Sequence, residues 1–245
     1  IIVIFLWYLL SQHHKSRAFV LNIKIFKLSK KMIKKLYSIG FPSAMQMFFE
    51  VAIFTAAIWL SGILGKNPQA ANQIALNLSS MTFMVAMGLS VTAMIRVGNQ
   101  KGLKRYIDLR RIAFSIFMIA TLFAVVFAIL FFLFSGILPK MYLDLNDPTK
   151  MVDNYEVITI ASKLLLIAAV FQITDTIQVV ALGALRGMQD VKIPTFITFV
   201  SYWLIGFPIS YYLSLYTDYK SSGIWIGLLA GLSASGILLF IRFNY

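Results

Sequence analysis

The sequence predicts an all-α integral membrane protein, a bundle of six transmembrane helices plus the remnant of a preceding one. Three observations carry that prediction. Hydrophobic residues fill 60% of the 245 positions and charged residues only 13%, where a soluble domain carries about 25% charged. Six apolar runs, at 39–64, 69–95, 112–138, 155–185, 193–215 and 222–241, each reach the ~20 residues that cross ~30 Å of hydrocarbon. The polar segments between them hold their cations on alternate sides.

That alternation orients the bundle. Segments 11–38, 96–111, 186–192 and 242–245 hold 8, 6, 2 and 1 Lys or Arg, which is 17 of the 22. The opposite segments carry Lys66, Lys140, Lys150 and Lys220, with Lys163 left over inside a run. Asp144, Asp147, Asp153, Glu156 and Asp218 lie on that opposite side too. By the positive-inside rule the basic set is cytoplasmic, which predicts a multi-pass protein of the cell's inner (plasma) membrane. The formal charge of +13 is therefore topological, and a nucleic-acid partner is excluded in favour of the lipid bilayer. There is no Cys, so disulfides and thiolate metal sites are ruled out.

The elements follow in order. Residues 1–10 are apolar, too short to cross, and preceded by no charged region, so they read as the end of a truncated transmembrane helix. Residues 11–38 form a cytoplasmic linker in which Phe19, Ile23, Phe26, Ile33 and Leu36 alternate with lysines. It is either an amphipathic stretch lying on the membrane or a plain basic linker. His13 and His14 within it read as solvated surface and not as metal ligands. Residues 39–245 then form the six-helix unit. Pro42 is expected in the first turn of the first span. Gly65-Lys66-Asn67-Pro68 makes a short turn into the second, and 139–154 is the longest loop. Pro208 lies inside the fifth span and is expected to kink it.

Glu50 and Asp175 are the residues most in need of a reason. Acidic groups at bilayer depth are costly and usually handle a cation, a proton or a substrate. Glu50 is about ten residues from the cytoplasmic start of its helix, and Asp175 is eleven before Arg186 on a helix running the other way. At 1.5 Å per residue both lie ~15–17 Å from the inner boundary. They can share one site, and no basic residue is expected at their depth. Such a carboxylate either holds a proton or binds a cation, which makes the pair a candidate Na⁺ site; alternatively both are structural and stay protonated. Gln46 shares the face of Glu50, and Thr174 and Gln178 accompany Asp175. Gln73, Asn77, Ser80 and Met84 form a polar stripe on the second span, suited to a cation or substrate, or simply to bonds between helices. Phe49 and its Met- and Phe-rich surroundings suit an adaptable apolar pocket or ordinary packing. Tyr202 and Trp203 are either an interface pair or cavity lining.

The strings GFPSAMQMFFEVAIF (40–54), AANQIALNLSSMTFM (70–84), VTAMIRVGNQKG (91–102), FQITDTIQVVALGALRGMQD (171–190) and SYWLIGFPISYYL (201–213) resemble the multidrug and toxic compound extrusion (MATE) transporters, most of all the NorM-like branch. The resemblance covers 40–245 and five of the six spans. It implies one lobe of a twelve-helix transporter with two parallel repeats, here the C-terminal lobe, with the N-terminal lobe as its absent partner. It implies an antiporter that exports cationic or amphipathic drugs and metabolites in exchange for Na⁺ or H⁺, with no cofactor. Glu50 and Asp175 match the family's acidic positions implicated in cation coupling, and Phe171 stands where some members have a tyrosine. Three other classes stay open. A lipid-linked saccharide flippase of the same superfamily would want a cationic cavity. A helical channel or scaffold is the second. The third, a membrane enzyme, lacks a His cluster, a metal spacing and a nucleophile with its base.

Overall fold

A computed structural model describes residues 29–143 and 151–244. The predicted stretches 1–10 and 11–28, with His13 and His14, lie outside the described residues. Two compact units divide the chain, 1–40 and 41–245. Within the first, the described residues are the opening turns of a helix, where Ser38 Oγ donates to Lys35 O.

The elements are α1 (Lys30–Leu64), α2 (Lys66–Gly102), α3 (Tyr106–Phe134), a 3₁₀ turn (Leu138–Tyr142), α4 (Met151–Gly187), α5 (Lys192–Phe199), a π-helical segment (Val200–Gly206), α6 (Phe207–Leu215) and α7 (Lys220–Asn244). Among the described residues six helical stretches are long and apolar enough to cross a membrane, α5 to α6 counting as one. They overlap the six runs; α1, α2 and α3 gain basic turns that hydropathy alone leaves out, while α3 stops at Phe134, short of the expected 138.

One expectation about proline is corrected. Pro42 is not in a first turn; α1 starts at Lys30 and carries Pro42 in its interior. Helix formers on the basic stretch before it (Lys30, Lys31, Met32, Lys34, Lys35, Leu36) are good enough to start the helix early. Pro208 lies inside the fifth span, as expected. The fifth span widens into a π segment, and Pro208 sits in the first turn of the α-helix that resumes at Phe207. A proline there has no amide hydrogen to waste, and the wider turn absorbs the mismatch upstream.

In the second unit α4 is central. It packs against α2, α3 and α7, while α7 also packs on α6 and the π segment. Two tight crossings bring these backbones together. A Cβ on Gly183 of α4 would stand 2.3 Å from Ser90 O of α2. One on Gly227 of α7 would stand 2.3 Å from Ser210 N of α6. No side chain fits either place, so glycine is required by the approach of the backbones. Polar groups tie the same seams: Ser90 Oγ donates to Val179 O at 2.7 Å and Ser210 Oγ to Ile224 O at 2.9 Å, while the buried Trp225 Nε1 of α7 donates to Asn72 Oδ1 of α2 at 2.9 Å. Ile53, Ala57 and Leu60 of α1 reach the core that holds Leu164, Leu165, Phe171 and Trp225.

Candidate functional site

Between α1, α2 and α4 lies a cavity of about 390 Å³, within the size range of small-molecule pockets. On α4 its wall is Phe171, Gln172, Asp175, Val179, Leu182 and Arg186. Those positions recur at steps of three and four and make one stripe along the helix. α1 brings Glu50 with Met47, Phe54 and Ile58. α2 brings Gln73, Asn77 and Ser80 with Phe83 and Met87. The polar stripe of the second span is thus exposed to the cavity at three of its four predicted positions; Met84 is exposed but off the wall.

Both acids border this one space. Glu50 is half-buried, Asp175 is 5% exposed, and their charges act on each other. Asp175 Oδ1, Gln172 Oε1 and Gln172 Nε2 are closed off from solvent and make no hydrogen bond among the described residues. Leaving a buried polar atom unpaired costs about 1–3 kcal/mol, so these atoms call for a ligand, an ion or water. The donor set is carboxylate and amide oxygen, which suits a proton or a hard cation such as Na⁺.

The expectation that no fixed positive group lies near the acids is corrected by Arg186. It lines the same cavity, and its charge acts on Glu50. Eleven residues along a helix is close to three full turns, so Arg186 stands on the face of Asp175, and its long side chain reaches inward from the helix end. Its Nε and Nη2 donate to Gln46 Oε1 at 3.2 and 3.1 Å, and Gln46 Nε2 donates to Val191 O at 3.4 Å. Gln46 therefore holds the arginine and does not face the cavity; it is 1% exposed.

A sequence-family model, MatE, matches residues 42–212. The chain belongs to the MatE family. It is 39% identical to the multidrug resistance protein NorM of Aliivibrio fischeri, over 88% of this chain and 46% of that protein. It is 38% identical to the multidrug resistance protein MdtK of Photorhabdus laumondii, over 87% and 46%. The chain spans about half the length of these curated relatives. Its fold is also that of solved structures: a eukaryotic MATE transporter, AtDTX14, at 21% identity and TM-score 0.76, covering 88% of this chain and 47% of that one, and an outward-facing multidrug resistance MATE family transporter at 16% and 0.77, covering 91% and 48%. The chain is a NorM-like member and a multi-pass membrane protein, built as half of the MATE architecture.

Within this MatE unit the other predicted site residues separate from the wall. Phe171 belongs to it, packed against Phe54 and Trp225 at ring distances of 6.2 and 5.3 Å. Phe49 points away, stacking on Phe199 at 5.1 Å. Thr174 Oγ1 caps Phe171 O at 2.8 Å. Gln178 and Tyr202 are 0% and 1% exposed and lie behind the wall, with Ser235 of α7 beside the Tyr202 hydroxyl. Tyr202 is hence a core residue and neither an interface anchor nor cavity lining; Trp203 stacks on Phe207 at 5.7 Å. Phe49 and Thr174 each sit one residue from an acid, which turns them about 100° off the wall. Lys163, left over by charge sorting, lines a separate cleft at the far end of the bundle with Asp153 and Glu156.

Proposed function

We propose that this chain is the C-terminal lobe of a cation-coupled antiporter that exports cationic or amphipathic compounds, with 11–38 as the cytoplasmic linker to an N-terminal lobe. The observation that carries the reading is that Glu50 and Asp175, from different helices, border one largely apolar cavity. Cargo from the cytoplasm and a cation from outside compete for the same negative charge. Na⁺ or H⁺ neutralises the acids and favours the state that releases cargo. Each ligand shifts the equilibrium only by its differential affinity for the two states.

Arg186 sets the count. With both acids ionised, the wall formed by the described residues carries two negative charges against one positive, a net −1. One monovalent cation cancels it, so one coupling ion exchanges for one monovalent cargo; a measured ratio of two would remove this part. The same arginine is too little for a flippase, which would want a cationic cavity. In the complete transporter, Glu50→Gln or Asp175→Asn should cut ion-driven export about 5- to 150-fold, the usual span of a coupling energy, while protein yield is unchanged. Full export by either variant defeats the proposal.

A further inference from the structure

We infer that a cleft at the basic end of the bundle binds the headgroup of an anionic phospholipid. The cleft, about 420 Å³, opens where α2 ends, α3 begins, α4 turns into α5 and α7 ends. In a chain whose six long apolar helices cross a membrane, helix ends on one side mark the boundary between acyl chains and water. Basic pockets between helices at that level suit lipid phosphates.

Among the described residues Lys101, Arg110 and Arg242 line the cleft against one acid, Asp190, so three charges minus one leave +2. Neighbours hold all three cations in place. Lys101 Nζ donates to Met188 O. Arg110 Nη2 donates to Asn244 Oδ1 at 3.4 Å, and its guanidinium carbon lies 5.7 Å from the Phe114 ring centre. Arg242 Nε donates to Asp190 Oδ2 at 2.9 Å. A guanidinium has five N–H donors, so both arginines keep most of theirs for phosphate oxygens. Tyr106 stands on the same wall, and α3 starts beside it with no side-chain cap at Arg105. Lys101 and Arg242 also complement the carbonyl ends of α2 and α7. Arg110 cannot serve that purpose, because it stands near the start of α3.

A second feature selects a lipid over a soluble anion. From the mouth of the cleft, Ile107, Met118 and Leu122 run along one face of α3, each more than 60% exposed. Their spacing of eleven and four keeps them on a single stripe. An acyl chain attached to the bound phosphate has that stripe to lie on.

The test uses the purified complete protein in neutral detergent, titrated with phosphatidylglycerol, phosphatidylcholine or soluble glycerol 3-phosphate and followed by the rise in unfolding midpoint. Phosphatidylglycerol should bind at least about tenfold more tightly than either alternative. Arg110→Gln should weaken it about tenfold, the loss of one charge-assisted contact. Asp190→Asn, which removes the opposing charge, should tighten it, and this variant carries the test if Arg110→Gln does not fold. Equal binding of the two phospholipids, or a phosphatidylglycerol affinity unmoved by Asp190→Asn, overturns the site. Equal binding of glycerol 3-phosphate overturns its assignment to a lipid. Transport is not measured, so the result is separate from that of the export variants.

Discussion

At the scale of single residues, the chemistry rests on how three charges share one cavity. Glu50 and Asp175 supply the negative charge, Arg186 offsets half of it, and Gln46 fixes where the arginine points. The buried amide of Gln46 holds that guanidinium through its oxygen and bonds Val191 O through its nitrogen. Gln46→Leu should therefore strand the Arg186 guanidinium, while Val191 O keeps its bonds from Thr195, and cost about 1–3 kcal/mol of stability, seen as a lowered unfolding midpoint in detergent. An unchanged midpoint would mean that the hydrogen bonds are incidental. The acids were legible in the sequence because a carboxylate inside a long apolar run has no cheap explanation. Arg186 was not, because depth was reckoned along the helix axis alone. Its direction was available in the same numbers: residues 175, 179, 182 and 186 share one face. Phe49 and Thr174 lie off the wall for the same directional reason: each falls on the side of its acid that faces away from the cavity, whereas Val51, on the other side of Glu50, lines it.

At the scale of elements, two seams hold α4 and α7 in place. Both depend on glycines where helix backbones touch. Gly183→Ala would push a methyl group to 2.3 Å from Ser90 O, and Gly227→Ala would do the same against Ser210 N. Backbone atoms cannot rotate aside as a flexible side chain can. Each variant should lose about 1–3 kcal/mol from overpacking; thermal unfolding of the purified proteins measures it, and a neutral outcome at either site would show that the seam opens freely. Hydropathy located all six crossing elements, since length and apolar content alone decide whether a helix spans. Boundaries were less legible. The 39–64 run places Pro42 in a first turn, yet the Lys-rich stretch upstream is already helical from Lys30. The π segment at Val200–Gly206 leaves no mark in hydropathy, because widening a turn changes hydrogen-bond partners and not composition.

For the whole molecule, the claims are orientation, partnership and coupling. The chain spans about half of its curated relatives, and transport is accordingly proposed and tested for the complete protein. Orientation can be tested directly because the sequence has no cysteine. A single cysteine at Lys192 should be labelled by an impermeant thiol reagent only from the cytoplasmic side, and one at Lys66 or Lys220 only from outside. The opposite pattern would invert the positive-inside assignment. Family membership was legible from five ordered strings, while cargo and coupling ion were not. A cavity of carboxylates, amides and apolar side chains suits many cations and many cargoes alike.

The most direct test of the account is competition at equilibrium. A cationic cargo bound to the complete wild-type protein should be displaced as Na⁺ or H⁺ is raised. In the Glu50→Gln, Asp175→Asn double variant, whatever cargo still binds should be insensitive to either ion. If the double variant releases cargo along the same ion titration as wild type, the two carboxylates are not where cargo and cation compete, and the mechanism is wrong.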